Sequence, residues 1–341
     1  MNLFFMRITY FGLICLLSFN GNGQTTPLNK QSTANLPEYY LEQGWPQLSF
    51  GYRLSEPSGI GIDTSQNIFI FNRTGRGWSD PFPDTLISKD AILMLDRQTG
   101  KILNSWGSDL FIMPHGLTVD HQNNVWVTDV SLQEVFKFSH EGKLLMKIGI
   151  TRETGSDSLR FNQPTDVAVA EDGSFYVSDG YINSRIVKFS ADGKYLFEWG
   201  TKGDKPGQFK IPHAIDLDDK GNVYVADRQN DRIQVFDANG KFLKEINDKK
   251  LEDLYSLTID KSTQHIFAID FLVVMKYFTK GSNIMEYDAN GKLVTRFGRS
   301  TSSNDAPLSR FHDIAVDNEG SIYVCDILGN KIHKYKRYTP R

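Results

Sequence analysis

The chain has 341 residues, more than one ordinary domain holds, so it either divides into parts or repeats a smaller unit. Its 38 basic and 41 acidic side chains are interspersed and leave a net charge of -3. No basic run of the kind that follows a phosphate backbone is present, which excludes nucleic acid and other polyanions as partners.

Residues 1–23 stand apart. They hold one basic residue, Arg7, then an apolar run from Ile8 to Phe19 and a small polar run from Asn20 to Gly23. That is the layout of a secretory signal peptide, too short for a comfortable membrane span, with cleavage after Gly23. Export, to the periplasm or beyond, is therefore expected, with residues 24–38 forming a flexible N-terminal segment and no integral membrane span left after processing. Lipid attachment through Cys15 is set aside, because Ile14 is not the small residue that should precede a lipidated cysteine. Processing would leave Cys325 alone, so no intrachain disulfide could form, and its setting "SIYVCDI" reads as a buried strand.

From residue 39 onward the chain repeats itself. In order come "GIGIDTSQNIFIFNR", "GLTVDHQNNVWVTDV", "DVAVAEDGSFYVSDG", "AIDLDDKGNVYVADR", "SLTIDKSTQHIFAID" and "DIAVDNEGSIYVCDI". Each is an alternating strand, a polar turn and a second apolar strand. Third and fourth strands follow, joined by turns such as "ADGK" and "ANGK" that supply the positive φ a tight hairpin needs. Ile60, Leu117, Val167, Ile215, Leu257 and Ile314 are equivalent points, spaced 42 to 57 residues apart. This spacing predicts an all-β, six-bladed β-propeller over residues 39–341. The last unit lacks its outer strand, and the segment from Tyr39 to Phe50 is expected to supply it and close the ring. The longest connections are 73–90 and 271–285, and "FLVVMKYFTKGSNI" reads as a blade strand with an aromatic insertion.

Two positions before the reference point stand Ser58, His115, Thr165, His213, Tyr255 and His312. Histidine thus recurs in every other unit. First strands line a propeller's channel, so the three imidazoles should converge on its axis. Three neutral nitrogens with a fourth position open suit a catalytic zinc ion. His121, His140, His265 and His333 fall in turns or outer strands and read as solvated. The second strands return toward the same face and end in Asp129, Asp179, Asp227, Asp270 and Asp326, too regular to be catalytic and suited to bonding turn amides. Beside these ends Arg73, Tyr181 and Arg228 bring two cations and a phenol near the predicted metal. A guanidinium or metal there would lower the phenol's pKa.

The strings "FNQPTDVAVAEDGSFYVSDGYINSRIVKFS", "PGQFKIPHAI", "VYVADRQNDRIQVF" and "MPHGLTVDHQNNVWVTDV" resemble the peptidyl-α-hydroxyglycine α-amidating lyases, propellers with NHL-type repeats. The resemblance covers nearly everything after about residue 45. It implies zinc on His115, His213 and His312, a catalytic Tyr181, active-site arginines Arg73 and Arg228, and a structural calcium held by the Asp313 carboxylate and the main-chain carbonyls of Ile60 and Leu117. Two departures from the family stand out. Arg310 replaces a methionine, and Ile182 stands where animal members have a disulfide cysteine.

The implied reaction splits a peptide or small-molecule carbinolamide into a primary amide and glyoxylate, with a partner hydroxylase supplying the carbinolamide. Zinc would act as Lewis acid, Tyr181 as base with its phenolate stabilised by Arg73, and Arg228 as the partner of a substrate carboxylate or oxyanion. Two other readings stay open. One is a secreted NHL-repeat propeller that binds peptides or proteins and uses metals for stability. The other is a metal-dependent propeller lactonase or hydrolase.

Overall fold

A computed structural model describes residues 37–248, 251–274, 278–298 and 309–338. The expected signal peptide, Cys15 and residues 24–36 lie outside them. Among the described residues no helix is long and apolar enough to cross a membrane.

Alternating side chains and glycine-bearing hairpins produce six four-stranded antiparallel sheets. Gly193 and Gly240 of the "ADGK" and "ANGK" turns adopt φ of 81° and 78°, as the hairpins require. The innermost strands are Pro57–Ile62, Pro114–Val119, Pro164–Val169, Pro212–Leu217, Leu254–Ile259 and Phe311–Val316. Each packs against the innermost strand of the next blade, and the sixth packs against the first, so the ring is closed.

The second strands, from Ile68–Asn72 in blade 1 to Ile322–Asp326 in blade 6, are buried along their whole length. Their apolar faces form the core between neighbouring blades. One such cluster joins Ile68, Ile70 and Leu93 of blade 1 to Tyr323, Cys325 and Ile332 of blade 6. Cys325 is buried and unpaired, as its strand setting implied.

Closure uses a shorter segment than expected. Glu38–Leu41 pairs antiparallel with Lys331–Tyr338, and the strand does not continue to Phe50. Tyr39 stacks on Phe297 of blade 5 at 4.8 Å between ring centroids. His333, read as solvated, is instead buried, its Nε2 3.1 Å from Asp326 Oδ2, because the closing strand covers the strand that carries it. The 271–285 connection also differs from its reading. Leu272–Val274 and Phe278–Gly281 form a separate two-stranded ribbon, and the third strand of blade 5 starts only at Ile284.

Every innermost strand has a register shift near its start. In blade 4 the pairing passes from Pro212↔Asp227 to Ala214↔Ala226 and leaves His213 unmatched. The same shift leaves Ser58, Thr165, Tyr255 and His312 unmatched, and in blade 2 it spans His115 and Gly116. A bulge of this kind re-aims the side chain it carries. The regular aspartates hold the adjoining segments: Asp129 Oδ2 accepts from the amides of Ile112 and Met113, and Asp179, Asp227 and Asp326 accept from Asn162, Lys210 and Arg310.

Candidate metal centre

The six bulge residues Ser58, His115, Thr165, His213, Tyr255 and His312 line one small hollow on the axis. Within it the three imidazoles lie 4.7 to 5.1 Å apart between ring centroids, and their ligand nitrogens lie within 4.8 Å of one another.

Orientation follows a cyclic rule. Nδ1 of His115 meets the carbonyl of Thr165 at 2.7 Å, that of His213 meets Tyr255 at 2.6 Å, and that of His312 meets Ser58 at 2.7 Å. Each histidine therefore bonds the bulge carbonyl of the next blade. A carbonyl only accepts, so each Nδ1 carries the proton and each Nε2 keeps its lone pair. Burial also keeps the rings neutral: it pushes His115 down to about 3, with the charge of Arg73 adding, and it depresses His213 and His312 as well, aided by the neighbouring His115. Three oriented, neutral imidazole nitrogens fit a borderline-soft divalent ion such as zinc, with the outer carbonyls fixing each ring.

Tyr181 completes the cluster. Its hydroxyl lies 3.0 Å from Nε2 of His115 and 3.1 Å from Nε2 of His213. Burial pushes the phenol up to about 12, outweighing the opposing charges of Arg228, Arg73 and Arg310. Trp78, from the long 73–90 connection, covers the Tyr181 ring at 4.9 Å.

The arginines sit around this group without bonding Tyr181. Arg73 is buried, its Nε donates to the carbonyl of Pro114 at 3.0 Å, and its Nη1 pairs with Glu56 at 2.7 Å. Arg228 Nη2 donates to the Tyr255 hydroxyl at 2.6 Å. Arg310 reaches the same hydroxyl, with Nε at 3.1 Å. Ile182, beside Tyr181, is exposed.

Farther along the axis a cavity of about 900 Å³ is lined by Ile60, Leu117, Asp166, Asp216 and Asp313 among others. Asp313 Oδ2 accepts from the amide of Ile60 at 2.8 Å, and its Oδ1 accepts from Ser256 Oγ at 2.7 Å. Burial pushes its carboxyl up to about 7. Asp166 is raised as well, by burial and then by the charge of Asp313. Carboxyl groups pushed toward their neutral form by burial and by neighbouring carboxylates are the donor chemistry a hard divalent cation offsets, so Asp313 and its neighbours fit calcium. Sequence reading missed Asp166. Its one signal was an aspartate at the register position Asp313 occupies in blade 6.

A family profile described as a six-bladed β-propeller matches residues 150–251. Peptidyl-alpha-hydroxyglycine alpha-amidating lyase 1 of Drosophila melanogaster is 32% identical over 344 residues, covering 92% of this chain and 62% of the fly protein. The chain is a homologue of the peptidyl-α-hydroxyglycine α-amidating lyases. Peptidyl-glycine alpha-amidating monooxygenase B of Xenopus laevis is 34% identical over 319 residues, 87% of this chain and 36% of the frog protein. The chain spans about a third of the length of its frog and rodent relatives. Among solved structures, a streptogramin B lyase superposes with a TM-score of 0.58 over 88% of this chain and 98% of its own, at 16% identity, a likeness of fold alone.

Proposed function

We propose that this protein is a zinc-dependent lyase that converts an N-acyl-α-hydroxyglycine into a primary amide and glyoxylate. The observation that carries the reading is the cyclic orientation of His115, His213 and His312, which directs three neutral Nε2 lone pairs to one point beside the Tyr181 hydroxyl. Homology to proteins named as amidating lyases supports it.

The reaction breaks the C–N bond of R-CO-NH-CH(OH)-COO⁻ and moves the hydroxyl proton to nitrogen, with no change of redox state. Zinc held by the three histidines would supply a Lewis acid for the substrate oxygen. Tyr181 Oη takes the hydroxyl proton and returns it to the departing amide nitrogen. Burial favours the phenol, whereas the positive charge of Arg228, Arg73 and Arg310 favours the phenolate the base requires. Arg228 binds the substrate carboxylate. Trp78 over Tyr181 excludes water from the proton's path. Asp313, with the carbonyls of Ile60 and Leu117, would hold a structural calcium farther along the axis.

The frog relatives are named for a monooxygenase acting on peptidyl-glycine, which supports a hydroxylase as the source of the carbinolamide here. Export is part of the same reading and rests on residues 1–23. The deciding experiment incubates zinc-loaded protein with α-hydroxyhippurate and measures glyoxylate with and without chelator. Chelator-sensitive release is expected; no release would leave a binding propeller.

A further inference from the structure

Tyr255 holds in blade 5 the bulge position that histidine holds in blades 2, 4 and 6. Its ring lies among theirs, 5.1 Å from His213 and 5.8 Å from His312 between centroids. Two cations converge on its hydroxyl: Arg228 Nη2 at 2.6 Å and Arg310 Nε at 3.1 Å, with Arg310 Nη2 directed at the same oxygen. Both guanidinium carbons also lie near the Tyr255 ring, at 4.0 and 5.2 Å from its centroid, and that of Arg310 is 5.1 Å from the centre of Phe271.

A neutral hydroxyl offers lone pairs to both arginines but no charge to balance them. Arg228 has a half-exposed carboxylate, Asp253, 3.7 Å from its Nε, too far for a hydrogen bond, and that buried Nε has no hydrogen-bond acceptor. Among the described residues the guanidinium of Arg310 meets no carboxylate at all. Asp326, near it in the chain, accepts from its main-chain amide and is otherwise engaged by Gly329 and His333. Arg310 itself is only partly buried, so a ligand can reach it. Two like charges held against one phenol, beside a centre built for a divalent cation, repel each other unless anions are seated among them. The hydroxyglycine end brings one carboxylate, and Arg228 accounts for it.

We propose that Arg310, braced by Tyr255, seats a second carboxylate, so that the preferred substrate is an α-hydroxyglycine whose acyl part carries an acidic group near the carbinolamide, such as an acidic residue preceding it in a peptide. This deepens the lyase reading and rests on it for the position of the hydroxyglycine end.

The test uses analogues that lack the hydroxyl and so bind without turnover. N-acetyl-glutamyl-glycine and its neutral isostere N-acetyl-glutaminyl-glycine are titrated calorimetrically into zinc-loaded protein, wild type and the variants Arg310→Met and Tyr255→Phe. The glutamyl compound should bind roughly tenfold more tightly than the glutaminyl compound, as a charge-assisted bidentate pair allows. The ratio should fall to about one in Arg310→Met and to an intermediate value in Tyr255→Phe, where the brace is lost. Equal affinities in wild type, an unchanged ratio in Arg310→Met, or no binding of either compound would overturn the proposal. Glyoxylate release from α-hydroxyhippurate by a protein that binds the two analogues alike would leave the lyase standing and remove the anion seat.

Discussion

Nδ1 of His213 bonds the main-chain carbonyl of Tyr255 across 2.6 Å, from the fourth blade to the fifth. The bond fixes the ring's tautomer and its direction together, and His115 and His312 repeat it around the axis. An ion held by three such rings should be tightly bound. The purified protein should carry about one equivalent of zinc through dialysis, and His213→Ala should weaken zinc binding about a hundredfold or more, since even outer partners of a ligand are worth up to that much. Metal analysis and chelator competition give the values. Undiminished affinity in His213→Ala would place the ion elsewhere.

Tyr181→Phe separates chemistry from metal binding. The variant loses the hydroxyl that lies 3.0 and 3.1 Å from two ligand nitrogens but keeps the ring under Trp78. Zinc content should stay at the wild-type level, while glyoxylate release should fall by roughly 10² to 10⁴, the range for a positioned acid-base group. More than a tenth of the wild-type rate would exclude Tyr181 as the proton carrier.

The ring and its histidines were legible because a propeller preserves register: one position, read across six units, became one level on the axis. Other features depend on relations that period does not encode. Trp78 comes from a long connection whose path over Tyr181 no repeat predicts. Arg310 precedes its strand in blade 6, and its meeting with Arg228 of blade 4 on the Tyr255 hydroxyl of blade 5 needs three consecutive blades in place. The arginines around Tyr181 were legible as charges that favour its phenolate, whereas the opposing effect of burial depends on everything packed around the ring. His333 sits in an outer part of the repeat, and its burial follows from a strand near the other end of the propeller.

That closing strand gives a stability prediction. Tyr39 stacks on Phe297, and its hydroxyl donates to Glu286 Oε2 at 2.9 Å. Tyr39→Phe, which removes only the hydrogen bond, should cost about 1 kcal/mol. Tyr39→Ala also removes the ring and should cost about 3 kcal/mol or more, with a lower melting temperature and earlier urea unfolding. An unchanged melt in Tyr39→Ala would mean that residues 38–41 do not hold the ring shut.

Gly180 links the fold to the proposed chemistry. It stands between Asp179, at the end of the second strand of blade 3, and Tyr181. A Cβ built on it would lie 1.9 Å from the carbonyl oxygen of Pro212 and 3.2 Å from Cγ2 of Thr165. The carbonyl belongs to the backbone just before His213, so it cannot rotate away as a side chain would. Gly180→Ala must push blade 3 and blade 4 apart at the point where Tyr181 reaches His213. The strain should destabilise the protein by about 1 to 3 kcal/mol, and turnover should fall more than zinc affinity, because the tyrosine moves while the three Nδ1 bonds remain. Ile182→Ala, at an exposed position two residues on, serves as the control for a general effect on this turn. Parallel melting, zinc-competition and glyoxylate measurements on the two variants decide the matter. If Gly180→Ala melts and turns over like wild type, the close approach to Pro212 does not set the position of Tyr181.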